Sequence, residues 1–246
     1  VLSDLAMQDF DLEIAAHSKI YYYARYVDDM ILVVNPEISS HIVNIIEKTL
    51  PSGLLLNPQK TSCCGAAHNI KSQPAGCIVD SELRVEFLGF EYSVKKPAAK
   101  ENLDKRNVRV DISPRKLAKI KKRIMRSFLS YSKNTDFRLL LDRIRYLISN
   151  FTIVDKNTGK RVLAGLYFGY PLLTGDNKCL EELDAFLRSV VLSGRGRVGV
   201  ALNGKLSSTQ KRHLLGYKFS TGYRDKNFIN FSVARMEVVQ ECWKHG

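Results

Sequence analysis

Apolar residues recur along the chain with two periods, and the switches between them outline its elements. Leu2, Leu5, Ala6, Phe10 and Ile14 fall at helical spacing and predict a helix over residues 2–16. The next stretch, Tyr21-Tyr22-Tyr23-Ala24-Arg25-Tyr26-Val27-Asp28-Asp29-Met30-Ile31-Leu32-Val33-Val34, is an aromatic run that breaks into an aliphatic one. Both flanks are rich in β-formers, so they read as two strands of a hairpin whose tight connection lifts the acids out of the sheet. Asn35 then predicts a helix cap, with Pro36 in the first turn and Ile38, Ile42, Ile45 and Ile46 along one face. Further strands are expected at residues 53–56 and 84–94. Residues 62–80, punctuated by Gly65, Pro74 and Gly76, read as irregular. The pattern predicts an α+β layer, an antiparallel sheet with helices on one face.

Residues 95–106 are polar and read as a linker. Val108, Val110 and Ile112 alternate with Arg109 and Asp111 as in a short strand, and Ser113-Pro114 opens a helix in the manner of a cap followed by proline at the first position. A boundary near 112 follows. Leu117, Ile120, Ile124 and Phe128 form one stripe of that helix. A second helix over about 136–150 uses Phe137, Leu140, Leu141, Ile144, Leu147 and Ile148, and a third near 178–192 uses Leu180, Leu183, Phe186, Leu187 and Val190. Three such helices make a bundle over 113–199. Between them, Asp155 to Lys160 is a hairpin-like turn signal, and Tyr167, Phe168 and Tyr170 either pack on the bundle or stack on bases, packing being the simpler expectation.

The net charge is +13, with 38 Lys and Arg against 25 Asp and Glu, and such an excess attracts polyanions. Nucleic acid is favoured over a membrane surface, because the apolar residues of the basic helices are needed for packing and no run approaches the ~20 apolar residues of a spanning helix. Residues 113–126 concentrate the charge: Arg115, Lys116, Lys119, Lys121, Lys122, Arg123 and Arg126, with no acid. A merely solvated face usually mixes signs, so phosphate contact is the stronger reading. Arg195 and Arg197 sit in the flexible run Ser193-Gly194-Arg195-Gly196-Arg197-Val198-Gly199, which lets backbone amides approach phosphates but lacks the Gly-Lys-Ser/Thr ending of a P-loop. Residues 200–246 form a basic extension with Phe228, Phe231 and Trp243 as a small core, suited to a structured RNA or a second protein. Five cysteines show no disulfide framework, as in a reducing cytoplasm. Cys63, Cys64, His68 and Cys77 are a weak zinc set, since adjacent cysteines ligate one ion poorly and no CxxC is present.

Asp28 and Asp29 carry the sharpest chemistry. Two anionic ligands on a rigid hairpin suit Mg²⁺ that also holds substrate phosphates, although Asp is equally a common turn residue. Tyr26-Val27-Asp28-Asp29 resembles the catalytic hairpin of reverse transcriptases, and three further segments follow that family's order. Leu2-Ser3-Asp4-Leu5-Ala6 is similar to the segment beneath the incoming nucleotide, Leu56-Asn57-Pro58-Gln59-Lys60-Thr61 to the lysine-bearing palm motif, and Glu86-Phe87-Leu88-Gly89-Phe90 to the primer grip. The resemblance covers roughly residues 1–150 and is to bacterial enzymes of retron, group II intron or defence-associated type. The run from Arg145-Tyr146-Leu147 through Gly165 to Leu172 looks most like the defence-associated group.

The resemblance implies a partial polymerase palm over 1–112, a helical thumb over 113–199 and the basic extension over 200–246. It implies an RNA-directed DNA polymerase acting in antiphage defence, with two-metal nucleotidyl transfer. Asp28 would ligate Mg²⁺, or Mn²⁺ in its place, with Asp29 as a second ligand or a shaper of the local field. Lys60 would lie near the triphosphate, as against a plain surface lysine. Tyr26, Phe87, Leu88 and Gly89 would position the primer end, and Arg115, Lys119, Lys122, Arg123, Arg126, Arg195 and Arg197 would hold nucleic acid. Its partners would be an RNA template or noncoding RNA, a DNA primer and product, and dNTPs. The family's earlier metal-binding Asp and fingers precede this stretch, so the expectation is the C-terminal part of a cut or split polymerase, inactive alone and completed by an N-terminal half or companion chain. A cytoplasmic location and no membrane partner are expected; the oligomeric state stays open. The alternative is a catalytically silent nucleic-acid-binding scaffold.

Overall fold

A computed structural model describes residues 2–65, 78–79, 82–95, 108–155, 158–175 and 178–244. The protein is mixed α+β, about 51% helix and 19% strand, with small antiparallel sheets, so most apolar helix faces must find other helices to cover them. Its contacts divide the chain into two units, Val1–Arg109 and Val110–Gly246.

In the first unit the helix expected over 2–16 is broken at Met7, giving α1 (Leu2–Ala6) and α2 (Gln8–Ala16). Met7 departs from helical backbone and buries its side chain. Strands β1 (Ile20–Tyr26) and β2 (Asp29–Val34) pair antiparallel. Because side chains alternate, Tyr23 opposite Leu32 and Arg25 opposite Met30 share one face, while Tyr22 opposite Val33 and Tyr26 opposite Asp29 share the other. An isolated two-stranded ribbon is marginal in water. Here the first face lies on a core of Met7, Phe10, Ile14, Ile20, Ile42 and Ile46, and each full burial is worth about 1.5–3 kcal/mol. Asn35 accepts a bond from Glu37 N–H, yet the turn it caps is a single 3₁₀ turn, Pro36–Ile38; α3 (Ile42–Thr49) starts later and turns Ile42 and Ile46 inward.

Residues 53–56 are loop rather than strand. Gly53 has φ +89°, Leu54 N–H bonds back to Pro51, and Leu55 is 90% exposed, so this apolar run does not reach a sheet. The sheets are small and separate instead of one layer. β3 (Cys64–Gly65) pairs parallel with β4 (Ile78–Val79), and β5 (Glu82–Phe87) pairs antiparallel with β6 (Phe90–Lys95). Most of the irregular stretch 62–80 and of the polar linker 95–106 lies outside the described residues, as do His68 and Cys77.

The strand β7 (Val108–Ile112) runs across the division into the second unit. There α4 (Pro114–Asn134) begins with proline at its first turn and ends at Thr135 in left-handed backbone, φ 54°. The helix α5 (Phe137–Ile148) is capped by the Asp136 carboxylate, which accepts from Leu139 N–H. A hairpin of β8 (Asn150–Val154) and β9 (Arg161–Gly165) follows, then α6 (Leu166–Gly169) and α7 (Lys178–Leu192). Among the described residues, the short α-helices α8 (Gly196–Ala201), α9 (Ser208–Leu215), α10 (Phe219–Arg224) and α11 (Val233–Gln240) follow, and a 3₁₀ turn, Glu241–Trp243, comes after them.

Segments 113–199 and 200–246 contribute to one core. Ile124, Phe128, Leu140, Ile144 and Leu183 meet Leu202, Leu206, Leu214, Phe219, Val239 and Trp243. Trp243 Nε1–H donates to the Arg123 carbonyl and the Ser127 hydroxyl, tying the C-terminal segment to α4. Phe228, expected in a small core, is largely exposed, whereas Phe231 packs on the shared core. Among the described residues, no helix is long and apolar enough to cross a membrane.

Candidate metal and nucleic-acid sites

Tyr26 pairs with Asp29 and leaves a two-residue turn, Val27-Asp28, at the hairpin tip, so the connection lifts Asp28 alone out of the sheet and Asp29, expected beside it there, is the first residue of β2. Val27 has φ 59°, and of the two turn residues it alone has positive φ, the φ pattern of a type II′ turn whose first central place normally takes glycine. Tyr26, Asp28 and Asp29 are all exposed at this tip. The two carboxylates are therefore accessible hard oxygen donors on a supported hairpin, and they fit an Mg²⁺ ion bound through one or two carboxylates plus phosphates. Among the described residues, no group of three or more His, Cys, Asp or Glu is placed to hold a metal, and of the zinc set only Cys63 and Cys64 are described, both half-buried.

The tip is supported by residues that the sequence does not single out. Arg25, with a side chain only 7% exposed, donates from Nε to Asp11 Oδ1 at 2.9 Å and from Nη2 to Asp11 Oδ2 at 2.6 Å. Its remaining nitrogen, Nη1, donates to the Val27 carbonyl at 2.8 Å and lies 3.6 Å from Asp4 Oδ1. Tyr23 donates its hydroxyl proton to Asp11 Oδ1 at 2.5 Å. The Arg25 guanidinium holds the Asp11 carboxyl below its usual range, while burial, and then the bond to Asp11, pushes the Tyr23 phenol up. Arg25 stands fourteen residues from Asp11, so no local pattern announces the pair.

Phe87, Leu88 and Gly89 form the other tight hairpin. Phe87 pairs with Phe90, and Leu88 and Gly89 both have positive φ, 51° and 86°, as a type I′ turn requires. Leu88 is exposed and Phe87 half-buried. Lys60 is exposed in a turn where its N–H bonds to the Asn57 carbonyl. Asp28, Asp29, Tyr26, Lys60 and the Phe87–Leu88–Gly89 turn thus all belong to the first unit.

The basic residues belong to the second unit and divide into two groups. Arg115, Lys116, Lys119 and Lys122 are exposed on α4, opposite the stripe of Leu117, Ile120 and Ile124. The other three are engaged within the unit. Arg123 lies over the Trp243 ring, Arg126 Nη1 donates to the Trp243 carbonyl at 3.3 Å, and Lys121 pairs with Glu182. Arg195 and Arg197 are exposed, Arg195 just before α8 and Arg197 in its first turn. Tyr170 packs on the core, whereas Tyr167 sits under Lys226 Nζ, 4.3 Å from the ring centroid, and Phe168 is partly exposed.

Compared with protein-family models, curated proteins and solved structures, the chain matches none of them.

Proposed function

We propose that the chain is the palm-and-thumb part of an RNA-directed DNA polymerase, with Asp28 and Asp29 as ligands of its catalytic metal. The observation that carries the reading is the β1–β2 hairpin, which presents both carboxylates to solvent, Asp28 in its braced two-residue turn and Asp29 at the start of β2. Bound there, Mg²⁺ or Mn²⁺ would activate a primer hydroxyl and steady the departing phosphates, with a further carboxylate supplied from elsewhere in the polymerase. Asp28 and Asp29 would hold the ion, Lys60 would supply positive charge toward a triphosphate, and the Phe87–Leu88–Gly89 turn would set the primer end through its backbone shape. Arg115, Lys119 and Lys122 are the α4 residues of the proposed set open for phosphate contact, joined by Arg195 and Arg197. Arg123 and Arg126 act through Trp243, shaping the helix surface. An antiphage role rests on the resemblance of residues 145–172 alone.

A catalytically silent scaffold is the second reading, and one observation favours it: among the described residues, no third His, Cys, Asp or Glu joins the acid pair in a group that could hold a metal. The test is template-directed deoxynucleotide incorporation by the complete polymerase containing this chain. Asp28→Asn is expected to lower incorporation by ~10²–10³-fold or more, the scale of removing one group that stabilises transition-state charge, with duplex binding retained. Undiminished synthesis would defeat the assignment; a wild-type assembly that binds duplex without any synthesis would favour the scaffold.

A further inference from the structure

We infer that Arg25 and Asp11 form a clamp that positions the carboxylate-bearing tip of the β1–β2 hairpin, with Tyr23 as its third member. The metal role of Asp28 and Asp29 on which its purpose rests is the one proposed above. The clamp itself is read from geometry.

Val27 is β-branched and holds φ 59°, a conformation such residues rarely adopt and one that persists only where the surroundings over-determine it. Its carbonyl accepts a bond from Arg25 Nη1 at 2.8 Å. That carbonyl belongs to the peptide linking Val27 to Asp28, so fixing it fixes the plane from which Asp28 departs. The same guanidinium is held from behind by both oxygens of Asp11, a two-point grip that a planar fork can make and an ammonium cannot. Asp11 in turn is anchored, because its neighbours on α2, Phe10 and Ile14, are buried in the core of the unit. Tyr23 bonds to Asp11 Oδ1 and closes the network from the same strand face as Arg25. The chain of support therefore runs from the core, through Asp11 and Arg25, to the strained turn. An ordinary ion pair joining helix to strand would need only the first contacts; the bond to Val27 O serves the tip alone.

Arg25 is thus a positioning residue, so its test must read tip geometry apart from stability. The experiment uses the full chain, ¹⁵N-labelled, as wild type, Arg25→Lys and Arg25→Lys with Val27→Gly. Two quantities are measured: the three-bond HN–Hα coupling and Cα shift of Val27, which report φ, and broadening of the Asp28 and Asp29 amides on titration with MnCl₂. Arg25→Lys is expected to lose the positive-φ signature at Val27 while the Phe10 ring and Ile14 methyl signals stay in place, and to bind Mn²⁺ about tenfold more weakly, the scale seen when a group that orients a metal ligand is changed. Glycine at 27 carries no steric penalty for positive φ, so the double variant is expected to recover part of that affinity. A Val27 φ that stays positive in Arg25→Lys overturns the clamp whether or not metal binds. Absence of Mn²⁺ broadening in the wild type overturns the metal reading instead, and the φ measurement still decides the clamp. Should Arg25→Lys fail to fold, Tyr23→Phe decides in its place, with a smaller shift at Val27 expected and an unchanged Val27 overturning the inference.

Discussion

Val1–Arg109 carries 12 Lys and Arg against 14 Asp and Glu, a net of −2, while Val110–Gly246 carries 26 against 11, a net of +15. The chain's overall +13 thus describes neither half. Their cores differ as well. Among the described residues, six buried apolar side chains form the cluster of the first unit, and twenty-three form that of the second. The contrast teaches that long-range attraction for a polyanion and the candidate cation site reside in separately packed parts, so each can be damaged without the other.

Removing core from the acidic unit is the strongest way to break the comparison. Phe10→Ala should cost about 3–5 kcal/mol there. The only tryptophan, Trp243, lies in the other unit, so its fluorescence should show an unmoved urea midpoint while amide exchange in the β1–β2 hairpin accelerates. A shifted Trp243 midpoint would show that the two units unfold together. The converse is Gly222→Ala. A Cβ there would lie 2.2 Å from the Ile148 carbonyl oxygen, and since backbone cannot yield cheaply, a loss of about 3 kcal/mol is expected in the Trp243 transition alone.

Charge removal sharpens the comparison at intermediate scale. Replacing Arg115, Lys116, Lys119 and Lys122 together by Gln should reduce the slope of log K against log salt for duplex binding by about 3–4, since each phosphate contact contributes about 0.9. Changing Arg123 and Arg126 instead should alter Trp243 packing and stability more than the slope. Acidification has the smallest effect. Arg25 holds the Asp11 carboxyl below its ordinary value of 3.8, so the stabilisation is fully present above that value and is lost as pH falls through the lower folded-state value. Hairpin amide protection should stay level from pH 7 to about 4 and decline only below; a decline between about pH 6 and 5 would assign it to another group.

What the sequence made legible was whatever local chemistry decides. Pro114 opens α4 as expected, although the Ser113 side chain makes no cap bond; the leucine spacing outlines α7, and the run of β-formers around Asp28 and Asp29 does fold as a hairpin. What it hid depends on partners distant in sequence. The apolar 53–56 segment looks like a strand, yet nothing among the described residues pairs with it. The strand β8 is masked by the helical apolar period that runs into Asn150, whose buried side chain donates to Asn227 and accepts from Tyr167 and Phe168 N–H. The sequence also shows seven cations on α4 as equals. Only the fold separates the exposed ones from Lys121, Arg123 and Arg126, and only the fold selects Asp11 among the acids of α2 to meet Arg25.

At the centre stands a proposed division of labour, which assigns a divalent cation to the acid tip and the nucleic-acid backbone to the basic unit. Its most direct test is a paired titration of the full chain and of Asp28→Asn, following thermal stabilisation by MnCl₂ and duplex affinity as a function of NaCl. Asp28→Asn is predicted to abolish the Mn²⁺ stabilisation and to leave the salt dependence of duplex binding unchanged. Equal Mn²⁺ stabilisation in both proteins, or a salt dependence that collapses with the single carboxylate, would contradict it.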